Sequence, residues 1–202
     1  MNSKNIIKKN FILTQKQLLK LERLIKEVIK YNNHINIVGR STLIDPWKRH
    51  ILDSLQINNF ISDKNKSVLD MGTGAGFPGL VLAICGFSNV SLIDSNIKKI
   101  NFISLACKKI NINVKYYHKR IEEVFNVKFD IITSRALTNL NKLFFYSQNF
   151  LKRDTILIFL KGKKINEEIK QAKKSWKFQY ILKQSLSDKA GSVVIIKNLY
   201  KI

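Results

Sequence analysis

The stretch Val68-Leu69-Asp70-Met71-Gly72-Thr73-Gly74-Ala75-Gly76-Phe77-Pro78-Gly79 decides how the chain is read. It runs from a short apolar strand pattern through four glycines in eight residues to a proline suited to the first position of a helix. Glycines allow a tight turn and a close approach of backbone to a ligand. The free amides at the start of the helix attract negative charge. A strand, glycine loop and helix in this order predict the first unit of an open α/β sheet with a ligand above the loop.

Outward from the loop, short apolar runs at 67–71, 90–94, 114–117, 129–134 and 155–161 alternate with helical patterns, as in a parallel sheet covered by helices. Pro78 and Gly86 bracket a helix over 78–85, and Ile100, Ile103, Cys107 and Ile110 form the buried stripe of the next. Two strand-like runs, 177–184 and 192–199, are joined by the turn-rich SLSDKAG and predict an antiparallel hairpin. The expected fold is α/β and Rossmann-like: a mostly parallel sheet ending in a C-terminal antiparallel hairpin, closer to the methyltransferase form than to the dehydrogenase form. Upstream, Leu18, Leu21, Ile25 and Val28 mark a helix over 14–31 with a Thr14–Gln17 capping box, and Ser41 and Asp45 can start shorter helices. Residues 1–60 thus read as an N-terminal helical extension and 61–202 as the body.

The 202 residues carry 36 Lys plus Arg against 14 Asp plus Glu, a net charge of +22. Lysine-rich drift in composition accounts for many lysines but not for the shortage of acids, so a polyanion, nucleic acid above all, is the expected partner. No apolar run approaches the roughly 18 residues that span a bilayer, and no secretory h-region opens the chain. A cytoplasmic protein is expected. Cys85 and Cys107 lie in apolar stretches, as buried thiols in a reducing compartment would, and no metal site is expected.

Gly74, Gly76 and Gly79 also satisfy dinucleotide spacing, so the glycines alone leave the ligand open. Asp70 favours S-adenosylmethionine: an acid before the first glycine binds an ammonium, directly or through water, and repels a pyrophosphate. Its bland role is to cap the loop. Asp94, 18 residues beyond Gly76, ends the second strand, where it either accepts from both ribose hydroxyls or caps the following helix.

Beyond the loop DMGTGAGFPG, the chain carries Arg49-His50-Ile51-Leu52-Asp53-Ser54, Lys98-Lys99 with Phe102, Arg120-Ile121-Glu122, Ser134-Arg135-Ala136 and Lys161-Gly162. Together they resemble the bacterial 16S rRNA guanine-N7 methyltransferases, the glucose-inhibited division protein B family, over nearly the whole chain. The resemblance implies a class I S-adenosylmethionine-dependent fold. It further implies that Gly72 and Phe77 line the donor site, that Ile121 and Glu122 lie beside the adenine, and that Arg135 stands near cofactor and target. The implied target is a guanine in the 530 loop of 16S rRNA; the expected partner is 16S rRNA or the small subunit, and a monomer is expected. Asn32 and Asn36 match the family, whereas Tyr31 and Val38 replace its usual Trp and Thr.

Read from the residues alone, Glu122 accepts from adenine or caps the next segment, and Arg135 serves the site or a structural salt bridge. His50 and Asp53, three apart on one helix face, touch the substrate or bond each other. Lys161 meets a phosphate or simply ends a strand at the surface. Arg135 is the candidate catalytic residue. The Asn/Asp-Pro-Pro-aromatic motif of adenine N6 chemistry is absent after the fourth strand, where Thr133-Ser134-Arg135-Ala136 stands, and neither cysteine suits pyrimidine C5 attack. Guanine N7 carries an in-plane lone pair, so transfer to it needs alignment rather than a base. The rival readings are a nicotinamide-dependent oxidoreductase and a non-catalytic RNA-binding assembly factor.

Overall fold

The computed structural model describes residues 3–202. Helices α1 (Ser3–Asn10) and α2 (Gln15–Asn32) open the chain. In α2 the Thr14 hydroxyl accepts from the Gln17 amide while the Gln17 side chain accepts from the Thr14 amide, closing the expected capping box. A 3-10 turn (Arg40–Leu43), a π-helical turn (Trp47–Leu52) and the short α3 (Asp53–Leu55) follow. The sequence predicts ordinary helix from Asp45 onward. The π turn differs from that pattern by setting Arg49 and His50 toward the crevice described below.

The sheet then builds from β1 (Val68–Met71), α4 (Gly79–Ile84), β2 (Val90–Asp94), α5 (Ile97–Ile110), β3 (Lys115–His118), β4 (Phe129–Arg135), α6 (Leu140–Ser147), β5 (Leu151–Lys161), α7 (Ile165–Ala172), β6 (Trp176–Gln184) and β7 (Ser192–Lys201). Strand order is β3-β2-β1-β4-β5-β7-β6, parallel through β5, with β7 antiparallel to β5 and to β6. Every residue of β1 and β2 is buried, because helices cover both faces, and their sequences are accordingly unbroken apolar runs around a few polar anchors. Helix α4 stops where Gly86 adopts φ +99°, which lets the Phe87 amide reach back to the Leu82 carbonyl.

One apolar core joins α2, α4 and α5 to one face of the sheet, with Leu21, Leu24, Val28, Leu80, Val81 and Ile103 fully buried. On the other face α6 and α7 cover Ile132, Leu157 and Phe159, with Phe144 and Trp176 packed edge to face. The extension therefore shares a core with the body. Cys85 and Cys107 are buried free thiols, and burial pushes them up to about 12 and about 11. Among the described residues no helix is long and apolar enough to cross a membrane.

The register sets the site. Val68 pairs with Val90 and with Ile131, so β1, β2 and β4 end level, and Gly72, Asp94 and Arg135 emerge at one edge. This is the carboxyl edge of the parallel strands, where open α/β sheets bind ligands.

Candidate active site

Asp70 lies in the strand below the loop and is wholly buried. One carboxylate oxygen accepts from the Thr73 hydroxyl at 2.6 Å and the Gly79 amide at 3.0 Å, the other from the Thr133 hydroxyl at 3.0 Å. Burial pushes the carboxyl up to about 6, against the lowering effect of these donors. It is a loop cap: an interior strand position turns its side chain into the core, so it does not reach the crevice as an ammonium partner would.

The glycines divide by what surrounds them. Gly72 (φ +63°) and Gly74 (φ +60°) line the crevice, and a Cβ on Gly74 would meet nothing within 4 Å. At Gly76 a Cβ would strike the Leu80 side chain at 2.4 Å, and at Gly79 the Leu92 side chain at 2.1 Å. These two permit packing. Gly76, expected at the ligand, faces Leu80 instead and lines neither part of the crevice.

The crevice has two compartments. The first, of about 430 Å³, is lined by Gly72, Asp94, Asn96, Ile121, Glu122 and Leu137 among others. Asp94 ends β2 there and accepts from the Gly74 amide and the Asn96 amide, each at 2.9 Å. The cap of α5 is Asn96, whose side chain accepts from the Lys98 amide, so Asp94 is freed from that role and braces the glycine loop against β2. Ile121 is buried and Glu122 exposed on a 3-10 turn, while the neighbouring Glu123 bonds the Arg120 amide.

The second compartment, of about 450 Å³, gathers Arg49, His50, Asp53, Phe77, Arg135 and Lys161. Arg135 donates to the Arg49 carbonyl at 2.6 Å, to Asp53 at 3.4 Å and to His50 Nδ1 at 3.0 Å. A guanidinium only donates, so Nδ1 is the acceptor and the ring proton sits on Nε2. From there it donates to the Thr42 hydroxyl at 2.9 Å, which itself donates to the Gly39 carbonyl at 2.6 Å. Burial first, then Arg135 and Arg49, lower the imidazole to about 3. The ring is neutral with both nitrogens engaged, and it stacks on Phe77 at 4.7 Å. Burial lowers the guanidinium from its ordinary value while Asp53 opposes that shift.

Asp53 also accepts from Ser187 at 2.6 Å and Gln56 at 2.9 Å, and Arg49 pairs with Asp188 at 3.1 Å, so the C-terminal hairpin turn forms one wall. Asn32 shapes another by accepting from the Ile37 and Val38 amides. His50 and Asp53 thus bond to Arg135 rather than to each other. Lys161 ends β5 but is neither at the surface nor free for a phosphate: its amine is turned inward to Glu168 and the Thr138 carbonyl, each at 2.7 Å, because α7 passes beside the end of β5. Sequence reasoning missed Thr42, Ser187 and Asp188. No local pattern marks them, since Asp188 meets Arg49 across 139 residues and Ser187 meets Asp53 across 134.

The compartments meet at Gly72, Lys99 and Ala136. An acid at the end of β2, an apolar residue and a carboxylate at the far wall, and open space above Gly74 suit a nucleoside joined to a short polar tail. S-adenosylmethionine has that form, and these residues fit it. Among the described residues no cluster of side chains could hold a metal ion.

Comparison with known proteins agrees with this geometry. The chain's fold resembles a solved S-adenosylmethionine-dependent methyltransferase from Aquifex aeolicus, with TM-score 0.60 and 17% identity over 78% of this chain and 95% of that one. A TehB-like methyltransferase from Corynebacterium glutamicum gives TM-score 0.54 and 14% identity over 72% of this chain and 86% of that one. In sequence, the ribosomal RNA small subunit methyltransferase G of Rickettsia prowazekii is 42% identical over 183 residues, 91% of this chain and 95% of the relative. That of Rickettsia typhi is 41% identical over 182 residues, 90% of this chain and 93% of the relative. A family model described as rRNA small subunit methyltransferase G matches residues 17–196. With that match and these relatives, the chain belongs to the rRNA small subunit methyltransferase G family.

Proposed function

We propose that the chain methylates N7 of a guanine in the 530 loop of 16S rRNA, acting in the cytoplasm as a monomer on naked RNA or the small subunit. The observation that carries the reading is the meeting of two compartments beside a neutral His50 whose nitrogens are both engaged. When bound, S-adenosylmethionine supplies a methyl group made electrophilic by its sulfonium. Asp94 holds the ribose side, Ile121 and Glu122 flank the base, and Gly72 and Gly74 leave room for the methionine portion. Arg135, Phe77 and the hairpin wall line the second compartment and orient the target. Since N7 presents a lone pair, no group need remove a proton, and alignment is the main contribution of these side chains.

N7 lies in the deep, narrow major groove of A-form RNA, so the guanine enters from a loop or distorted segment. The test is to incubate the protein with undermethylated 16S rRNA and with small subunits, supply labelled donor, and map the modified nucleotide. Label at a guanine outside the 530 loop would overturn the target. Binding of rRNA without transfer would turn the reading to an assembly factor. A thermal shift with NADH but none with S-adenosylhomocysteine would turn it to an oxidoreductase.

A further inference from the structure

The helices covering one face of the sheet stop short of its last strand. On β7, Val193 and Ile195 are buried in that core, yet their cross-strand partners on β6, Lys183 and Ile181, are exposed, Ile181 to 53%. In an antiparallel pair, opposite residues share a face. The uncovered strip therefore runs from Lys183 through Ile181 and the Gln179–Lys197 pair to Lys177 and Tyr200. Tyr200 is 51% exposed, and the Lys177 amine lies 5.8 Å from its ring centre.

Two facts point to the occupant. Residues 170–202 contain eight lysines and a single acid, Asp188, which is turned away to Arg49. The strip also continues from the crevice: the turn joining β6 to β7 supplies Ser185, Ser187 and Asp188 to the second compartment. A track of amines ending in an aromatic ring matches how single-stranded nucleic acid is held, by phosphate contacts and base stacking.

Resting on the methyltransferase reading, we propose that this β6–β7 strip is a docking track for the rRNA segment leading to the target guanine. Lys183, Lys197 and Lys177 meet phosphates along the strip and Tyr200 stacks a base. The track lies outside the reaction centre and acts on RNA affinity alone.

The test compares wild type, the triple variant Lys177→Gln/Lys183→Gln/Lys197→Gln, Tyr200→Ala and Tyr200→Phe, with Lys108→Gln/Lys109→Gln on α5 as a charge control. Methyl transfer is measured on naked 16S rRNA and on small subunits over a range of salt, and S-adenosylhomocysteine binding is measured in parallel. The triple variant should raise KM for RNA at least five-fold, leave kcat and S-adenosylhomocysteine affinity unchanged, and lower the slope of log affinity against log salt by about 2, or about 0.7 per phosphate. Tyr200→Ala should raise KM roughly five-fold or more, and Tyr200→Phe should match wild type. Unchanged KM and slope in the folded triple variant would overturn the track. So would an effect equal to the α5 control, or one confined to assembled subunits, which would mean a protein contact. If wild type transfers no methyl to rRNA, it is the functional reading that fails.

Discussion

Two buried ionisable side chains, His50 and Asp70, act on stability in opposite directions as pH changes. The imidazole is lowered to about 3, so below its unfolded value near 6.5 the unfolded chain binds the extra proton and stability falls with falling pH. Asp70 is raised to about 6, so its contribution is fully present below about 4 and is lost as pH rises through 6. Urea midpoints should therefore diverge. Between pH 7 and 4.5, wild type should lose on the order of 2 kcal/mol relative to His50→Asn and gain a similar amount relative to Asp70→Asn. Parallel pH curves for all three proteins would contradict the buried placements. The same neutral ring bears on chemistry: single-turnover transfer with donor and rRNA saturating should be flat from about pH 6.5 to 8.5. A bell-shaped profile would demand a base. Arg135→Ala should slow that step by about ten- to a thousand-fold through lost alignment, and Arg135→Lys should restore only part, since one ammonium cannot serve Asp53 and His50 with a planar fork.

At the scale of elements, the glycine loop separates the two kinds of glycine that its letters cannot. Gly79→Ala drives a Cβ into Leu92 beneath a buried helix start and should lower Tm sharply or prevent folding. Gly74→Ala meets open space but must hold φ +60°, costing about 1 kcal/mol, and should leave a folded protein with weakened S-adenosylhomocysteine binding. Asp94→Ala should weaken that binding about ten-fold or more in calorimetry, because it removes both the proposed ribose acceptor and the brace on Gly74. Unchanged affinity in a folded Asp94→Ala protein would remove it from the site. Strands and loop were legible because burial on both faces leaves continuous apolar runs, and because Pro78 and Gly86 punctuate α4. Asp70 was legible as important, with loop cap as one of two roles, but the choice was not: it depends on β4 supplying Thr133, 63 residues away. Lys161 was misleading for a similar reason, since only the passage of α7 brings Glu168 to its amine.

Across the whole molecule, residues 3–60, read as an extension, and residues 61–202, read as the body, are distinct in pattern but joined in energy. Leu21, Leu24, Ile25 and Val28 of α2 are buried against the core that contains α4 and α5. At about 1.5–3 kcal/mol each, these four side chains represent about 6–12 kcal/mol of burial, comparable with the entire stability of a typical domain. Such sums are upper bounds because the unfolded chain already hides some apolar surface, yet even half would be decisive. The extension also carries His50, Asp53 and the Arg49 carbonyl, the partners that compensate the guanidinium of Arg135. Removing them would uncover α4 and α5 where α2 and α3 pack on them and leave a largely buried cation with its neighbours gone, a combination that costs far more than the loss of a surface helix. A fragment of residues 61–202 should therefore show no cooperative urea transition, bind hydrophobic dye, and give no thermal shift with S-adenosylhomocysteine. A fragment that unfolds cooperatively and binds S-adenosylhomocysteine like the full chain would make the extension an accessory for RNA alone. Residues 3–60 would then owe their shared core to docking after the body has folded.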